Sequence, residues 1–358
     1  MSQVLRVAVA GLGRMGPIHA LHVHELEQET GSCTLAALVD TNIARAREVA
    51  NGLGISVPAF ASIEEMLNSG LCDATVVVTP TGNHRRNAEE LIAGGHRVLL
   101  EKPLTGTLAG DREFAAELDR SHPDALMLAF QRRFDPPLQY VKQLIDAGLV
   151  GRVFKVYSAL EDSCPAPDGY RSGGILPDMA VHNVDELLWL TGQVPERALA
   201  IGSRISSYRR TTADEDFDDA LLYLWFPGEL TGQIQVSRNH VSGYRVETTV
   251  FGEEGQIQVG RFDQQPFAIT VQAFGRRGSP EPLAHEVFPM RDYRRPLPEF
   301  IDRFGFAYKA EVAAFVECCR ANAPFPATHR DGVRAQEVIS AGMECVIGAG
   351  QAAAVRQS

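Results

Sequence analysis

The chain has 358 residues, 45% of them apolar and 22% charged, with a formal net charge of −11. That composition excludes a disordered chain, a collagen and a coiled coil, and the length suits about two domains. The acidic balance, with a pI near 5.4, disfavours nucleic acid and anionic membrane surfaces as partners.

The first six residues, Met1-Ser2-Gln3-Val4-Leu5-Arg6, lack the basic region of a secretory leader, and no apolar run reaches the ~18 residues of a membrane span. Six scattered cysteines (Cys33, Cys72, Cys164, Cys318, Cys319, Cys345) with no CxxC pair predict a reduced, cytoplasmic setting and no zinc ribbon. Along the first third, short apolar runs alternate with helical patterns. Strands are expected at Leu5–Ala10, Leu35–Val39, Ala74–Val78, Arg97–Leu100 and Leu126–Ala129. Helices are expected at Gly16–Glu27, Ile43–Asn51, Arg85–Ala93 and Asp111–Arg120, with a capping box at Ser62 and Glu65. Strands apolar on both faces, alternating with helices, predict a doubly wound parallel sheet over residues 1–130.

The rhythm changes near Phe130. Helices near Leu138–Ala147 and Met179–Leu190 flank a strand at Val153–Leu160. Alternating strands follow at Ala198–Arg204, Asp218–Phe226, Thr231–Ser237, Arg245–Phe251, Gln256–Gly260 and Phe267–Ala273, then helices near Ile301–Ala321 and Gly332–Ile347. The expected fold is therefore an α/β Rossmann domain followed by an α+β domain, residues 131–358, with a large, mainly antiparallel open sheet.

Gly11-Leu12-Gly13-Arg14-Met15-Gly16 joins the first strand to the first helix. Glycines there permit a tight turn and let the backbone approach a pyrophosphate at the helix N-terminus. Asp40 ends the second strand, where a carboxylate hydrogen-bonds adenosine ribose hydroxyls and repels a 2′-phosphate, so NAD is expected as cofactor. Arg45 and Arg47 nearby keep NADP as an alternative, and a plain helix-capping turn is another role for Asp40. Thr79, Pro80 and His84 follow one strand, and Glu101, Lys102 and Pro103 the next. Lys102, just past an apolar strand, suits the nicotinamide end of a cofactor and a substrate hydroxyl, or else a salt bridge. His84 suits the same region, or simply a helix start.

Gly173-Gly174 precedes Asp178, His182 and Asp185. On a helix, Asp178 and His182 stand at i and i+4 on one face. A carboxylate orienting a histidine that acts as general base is one reading. A capped helix with a satisfied histidine and a metal site are the others, and no third or fourth ligand is signalled.

Together, GLGRMG, the segment ending at His84, Glu101-Lys102-Pro103, Gln131-Arg132-Arg133-Phe134-Asp135 and the Asp178–His182–Asp185 stretch resemble the Gfo/Idh/MocA oxidoreductases over essentially the whole chain. Within that group, Arg132–Pro136 and Phe300–Phe304 through Tyr308 and Glu311 resemble the inositol 2-dehydrogenases. The resemblance implies an NAD(P)-dependent oxidoreductase acting on a sugar or cyclic polyol, and dimers or tetramers built on the second domain's sheet. It implies Lys102, Asp178 and His182 as the catalytic set. It implies cofactor contacts from residues 11–16, Asp40, Thr79, Pro80, His84, Glu101, Lys102 and Gln131, and polyol contacts from Gln131, Arg132, Met179 and Tyr244. The chain departs from the inositol pattern at Leu160-Glu161-Asp162-Ser163-Cys164, where two acids replace a histidine or asparagine. A nucleotide-sensing regulator of the same fold and a metal-assisted hydrolase are the competing classes.

Overall fold

The computed structural model describes residues 4–163, 173–203, 217–240, 243–260, 268–276, 281–293, 297–347 and 353–354. The chain divides into two compact units, Met1–Gln131 with Ala307–Val333, and Arg132–Phe306 with Arg334–Ser358. No helix among the described residues is long and apolar enough to cross a membrane.

The first unit runs β1 (Leu5–Ala10), α1 (Gly16–Thr30), β2 (Cys33–Val39), α2 (Ile43–Leu53), β3 (Ala59–Phe60), α3 (Ile63–Ser69), β4 (Ala74–Val77), α4 (His84–Ala93), β5 (Arg97–Glu101), α5 (Leu108–Ser121) and β6 (Leu126–Ala129). The six strands form one sheet in the order β3-β2-β1-β4-β5-β6, parallel throughout. Val7, Val9, Val76, Leu99 and Leu128 are all fully buried, which is why these strands read as unbroken apolar runs. The order reverses between β1 and β4, the switch point beyond whose strand ends such sheets bind ligands. Local signals start the helices where expected or slightly earlier. Ser62 Oγ accepts from Glu65 N at 3.1 Å to cap α3. Thr107 Oγ1 accepts from Gly110 N at 3.2 Å, so α5 begins three residues ahead of the expected Asp111.

The return of Ala307–Val333 to this unit is held by polar groups. Arg97 donates to Cys318 O and Ala323 O, each at 2.6 Å, and its guanidinium lies over Phe325. His329 Nε2 lies 2.8 Å from Asp119 Oδ1.

The second unit contains α6 (Pro136–Asp146), β7 (Val153–Glu161), α7 (Val181–Thr191), β8 (Arg197–Ser203), β9 (Asp219–Trp225), β10 (Thr231–Ser237), β11 (Arg245–Gly252), β12 (Gly255–Gly260), β13 (Ala268–Gly275), β14 (Ala284–Pro289) and β15 (Ala353–Ala354). The long helices α8 (Glu299–Ala321) and α9 (His329–Ile347) each begin in one unit and end in the other. The sheet order is β14-β13-β12-β11-β7-β10-β9-β8-β15. Its pairings are antiparallel except β7 with β10, which run parallel from Lys155↔Thr231 to Glu161↔Ser237. The chain leaves β7, passes through α7, β8 and β9, and returns beside β7 in its original direction, as a parallel pair requires. Helix α7 packs on β7 and β10. The face beneath it carries Val156, Ser158, Ile234, Val236, Leu222 and Leu224, all buried. The expected strand bounds at Arg204 and Phe267 lie outside the described residues.

Candidate active site

In the first unit the glycine loop joins β1 to α1. Gly11 has φ 91°, and a Cβ there would stand 2.6 Å from Val78 O. A Cβ on Gly16 would stand 2.0 Å from Gly11 O. Both positions are closed to any side chain. Gly13 is the converse: it is exposed, and a Cβ on it would meet nothing within 4 Å. The loop is therefore packed from behind by Leu12, fully buried, and open in front at Gly13 and Arg14, with the start of α1 beside it. That form accepts a pyrophosphate, so these residues fit a dinucleotide.

Asp40 follows β2. Its Oδ2 accepts from Leu12 N and its Oδ1 from Asn42 N, both at 2.8 Å. The carboxylate is thus fixed against the loop while it also shapes the turn into α2, and its two expected roles coexist. Arg45 donates from Nε to Leu12 O at 2.9 Å and pairs with Glu48 at 2.8 Å, so this cation is committed to the protein; Arg47 is exposed.

The loops after β4 and β5 are tied by His84. Its Nδ1 lies 2.7 Å from Pro103 O and its Nε2 2.8 Å from Thr79 O, and the side chain is buried. Both ring nitrogens serve backbone carbonyls, and the residue begins α4. Thr79 Oγ1 accepts from Asn87 at 2.9 Å, and Pro80 is exposed.

Glu101 is likewise held internally, with Oε1 2.9 Å from His19 Nε2 and Oε2 accepting from Lys102 N at 3.2 Å. Burial pushes the Glu101 carboxyl up, but the His19 hydrogen bond and the charges of His19, Lys102 and His84 outweigh it and hold it below the usual range. Lys102 is half-buried and precedes Pro103 through a cis peptide bond. Sequence reasoning missed His19. Its place one turn into α1, behind the loop, gave no separate signal.

In the second unit a π-helical turn, Leu176–Ala180, precedes α7. Asp178 N donates to Gly174 O at 3.0 Å, anchoring the turn to the glycine pair. The wider turn replaces the regular i, i+4 helix expected through Asp178 and His182; such insertions recur at functional sites. The turn packs against β10. Asp178 Oδ2 accepts from Arg238 Nη2 at 3.1 Å, with side-chain exposures of 12% and 9%. Met179 is buried, His182 half-buried, and Tyr244 buried at the start of β11, where its N–H donates to Glu299.

Gln131 and Arg132 open a short 3-10 turn, Gln131–Phe134, and Gln131 is buried. Arg132 is 1% exposed, and its Nη1 donates to Glu186 Oε2 at 2.6 Å. Its guanidinium is a buried charge paired inside the second unit. Asp185, a candidate metal ligand from its spacing, faces Arg133 in a bidentate pair with oxygens at 2.6 and 3.0 Å. Among the described residues no group of three or more His, Cys, Asp or Glu is arranged to hold a metal.

The departure at Glu161 also has a structural account. Glu161 pairs with Arg245 at 3.0 Å and accepts from Gln235 at 2.8 Å, on the sheet face opposite α7, so it is a structural acid. Cys164 lies outside the described residues.

Comparison with known proteins agrees with this anatomy. Residues 5–130 match the model of the Gfo/Idh/MocA oxidoreductase family with an NAD-binding Rossmann fold, and residues 138–258 match the family's C-terminal domain. The chain is 30% identical over 322 residues to scyllo-inositol 2-dehydrogenase (NAD(+)) of Bacillus subtilis, covering 89% of this chain and 87% of that one. It is 28% identical to myo-inositol 2-dehydrogenase of Thermotoga maritima, covering 92% of each. The crystal structure of myo-inositol 2-dehydrogenase from Lactobacillus plantarum superposes with a TM-score of 0.81 at 25% identity, covering 99% of this chain and all of that one. On these matches, the chain belongs to the Gfo/Idh/MocA family of NAD-binding oxidoreductases.

Proposed function

We propose that the protein oxidises a secondary alcohol of an inositol-like cyclic polyol with NAD⁺. The observation that carries this is the pairing of Asp178, on the π turn, with Arg238, which holds a half-buried carboxylate one helical turn before His182. A chain that only binds a nucleotide has no use for such a set. Bound NAD⁺ supplies the nicotinamide that accepts hydride from the alcohol carbon. His182 takes the hydroxyl proton as general base, a role that contributes typically ~100- to 10,000-fold. Lys102 donates a hydrogen bond to the same oxygen and stabilises the charge that develops there. Asp178 holds the imidazole or the neighbouring hydroxyl, and Gln131, Met179 and Tyr244 line the polyol. His84 and the His19–Glu101 pair act one step back, fixing the backbone on either side of Lys102.

The second sheet's face opposite α7 shows Ile201 at 56% and Leu221 at 40% exposure, cross-strand partners on β8 and β9. Covering such a face favours a homo-oligomer, for which we propose a tetramer in the cytoplasm. A panel of inositols, aldoses and keto-sugars offered with NAD⁺ tests the substrate class. Turnover of a cyclic polyol at a kcat/KM at least ~10-fold above any open-chain or keto substrate is expected. NADH from a keto- or amino-sugar alone would overturn it.

A further inference from the structure

We infer that Arg238 is a positioning residue for this proton transfer, acting through Asp178; the inference rests on the function proposed above. Arg238 follows β10, and its register continues that of Ile234 and Val236, the face beneath α7. A charged side chain at a position where the alternation calls for an apolar one needs a reason. The structure supplies one in Asp178. Arg238 is 7% exposed, and its Nη2 donates to Asp178 Oδ2 at 3.1 Å, while its Nε is buried without a hydrogen-bond partner among the described residues.

The cation is itself anchored. Its backbone N–H donates to Asp218 O at 2.8 Å, and the next residue, Asn239, donates from N to Ser237 Oγ at 3.2 Å and from Nδ2 to Asp218 O at 3.4 Å. The arginine thus stands on the rigid end of the sheet, and the π turn that carries Asp178 packs against the same strand. A carboxylate this buried is costly without a partner. A planar, always-charged guanidinium fixes one of its oxygens and so sets the direction of the other. Arg238 therefore orients the acid of the proton-transfer set without itself meeting the reacting atoms.

The test is a double-mutant cycle on the full chain, read as NADH formation from scyllo- and myo-inositol. The variants are Arg238→Gln, Arg238→Lys, Asp178→Asn and the pair Asp178→Asn with Arg238→Gln. Arg238→Gln should lower kcat by about 10- to 100-fold while the KM for NAD⁺ moves by less than about 3-fold, and Arg238→Lys should recover at least about 5-fold of the loss. In the Asp178→Asn background, Arg238→Gln should cost less than about 3-fold, because the residue it acts through is already disabled. Losses that multiply in the double variant would mean that Arg238 serves the fold alone. Near-normal kcat in Arg238→Gln beside an inactive Asp178→Asn would remove Arg238 from the account and leave the proposed reaction standing. Should Arg238→Gln fail to fold, Arg238→Lys decides: a loss that vanishes in the Asp178→Asn background supports the assignment, and one that persists overturns it. Wild-type protein that yields no NADH from either inositol overturns the proposed reaction, and this inference with it.

Discussion

Cofactor choice is the sharpest consequence of the loop geometry. Asp40 Oδ2 sits 2.8 Å from Leu12 N, so its charge is held against the backbone that faces the dinucleotide. A 2′-phosphate on a ribose bonded to this carboxylate would bring two like charges to ~4 Å, which costs about 4 kcal/mol per charge pair at an effective dielectric constant of ~20. Salt and partial exposure reduce that by about half. About 2–3 kcal/mol remains, or a preference for NAD⁺ over NADP⁺ of roughly 30- to 150-fold in kcat/KM. Arg45 does not offset it, being tied to Leu12 O and Glu48. Asp40→Asn keeps an acceptor for one of the two backbone N–H groups while removing the charge. It should cut the preference to below about 5-fold, mainly by improving NADP⁺. Steady-state kinetics with both cofactors at fixed ionic strength measures the ratio. A wild-type preference for NADP⁺, or an unchanged ratio in Asp40→Asn, would refute the reasoning and direct attention to Arg47.

Glu186→Ala strands the buried Arg132 guanidinium and should cost about 3–5 kcal/mol by urea unfolding, whereas the double replacement of both by Met should cost less. A single-variant loss below about 1 kcal/mol would show that the pair is solvated. Burial lifts the Asp111 carboxyl from 3.8 to about 6 despite hydrogen bonds from Thr105 N and Oγ1 at 2.8 and 2.5 Å. The folded state then binds more protons than the unfolded one between these values, so stability should fall as pH rises through that window. Asp111→Asn should flatten this segment of the profile and gain roughly 2–3 kcal/mol at pH 7; an unchanged slope would contradict the assignment. Light scattering should give a mass several times 39.1 kDa, and Ile201→Asp should reduce it. A wild-type monomer at micromolar concentration would rule out the proposed oligomer.

The first unit was legible in the sequence because parallel, doubly covered strands leave continuous apolar runs between helical patterns. The short β3 was missed, since two residues show no period. In the second unit the alternation exposed six strands, but not β14, whose Ala284-His285-Glu286-Val287-Phe288-Pro289 is largely exposed and lacks alternation, nor the parallel pairing of β7 with β10, which depends on the path between them. The glycine loop, Asp40 and the Asp178–His182 stretch were visible as motifs. Their partners were not: Arg238 lies 60 residues from Asp178 and His19 lies 82 from Glu101. The burial of Arg132 was hidden for a physical reason. An arginine reads as a surface or ligand group, and only the fold shows Glu186 waiting for it inside. Arg238 did leave a trace, a charge on the apolar phase of β10.

The proton-transfer role of His182 is the central claim, and His182→Ala tests it most directly. With NAD⁺ and the better of scyllo- or myo-inositol, kcat should fall by about 100- to 10,000-fold. The affinity for NAD⁺, followed by fluorescence titration, should stay within about 3-fold, because the glycine loop and Asp40 belong to the other unit. A His182→Ala protein that keeps near-normal kcat while binding NAD⁺ normally would contradict the account and return His182 to a structural place on α7.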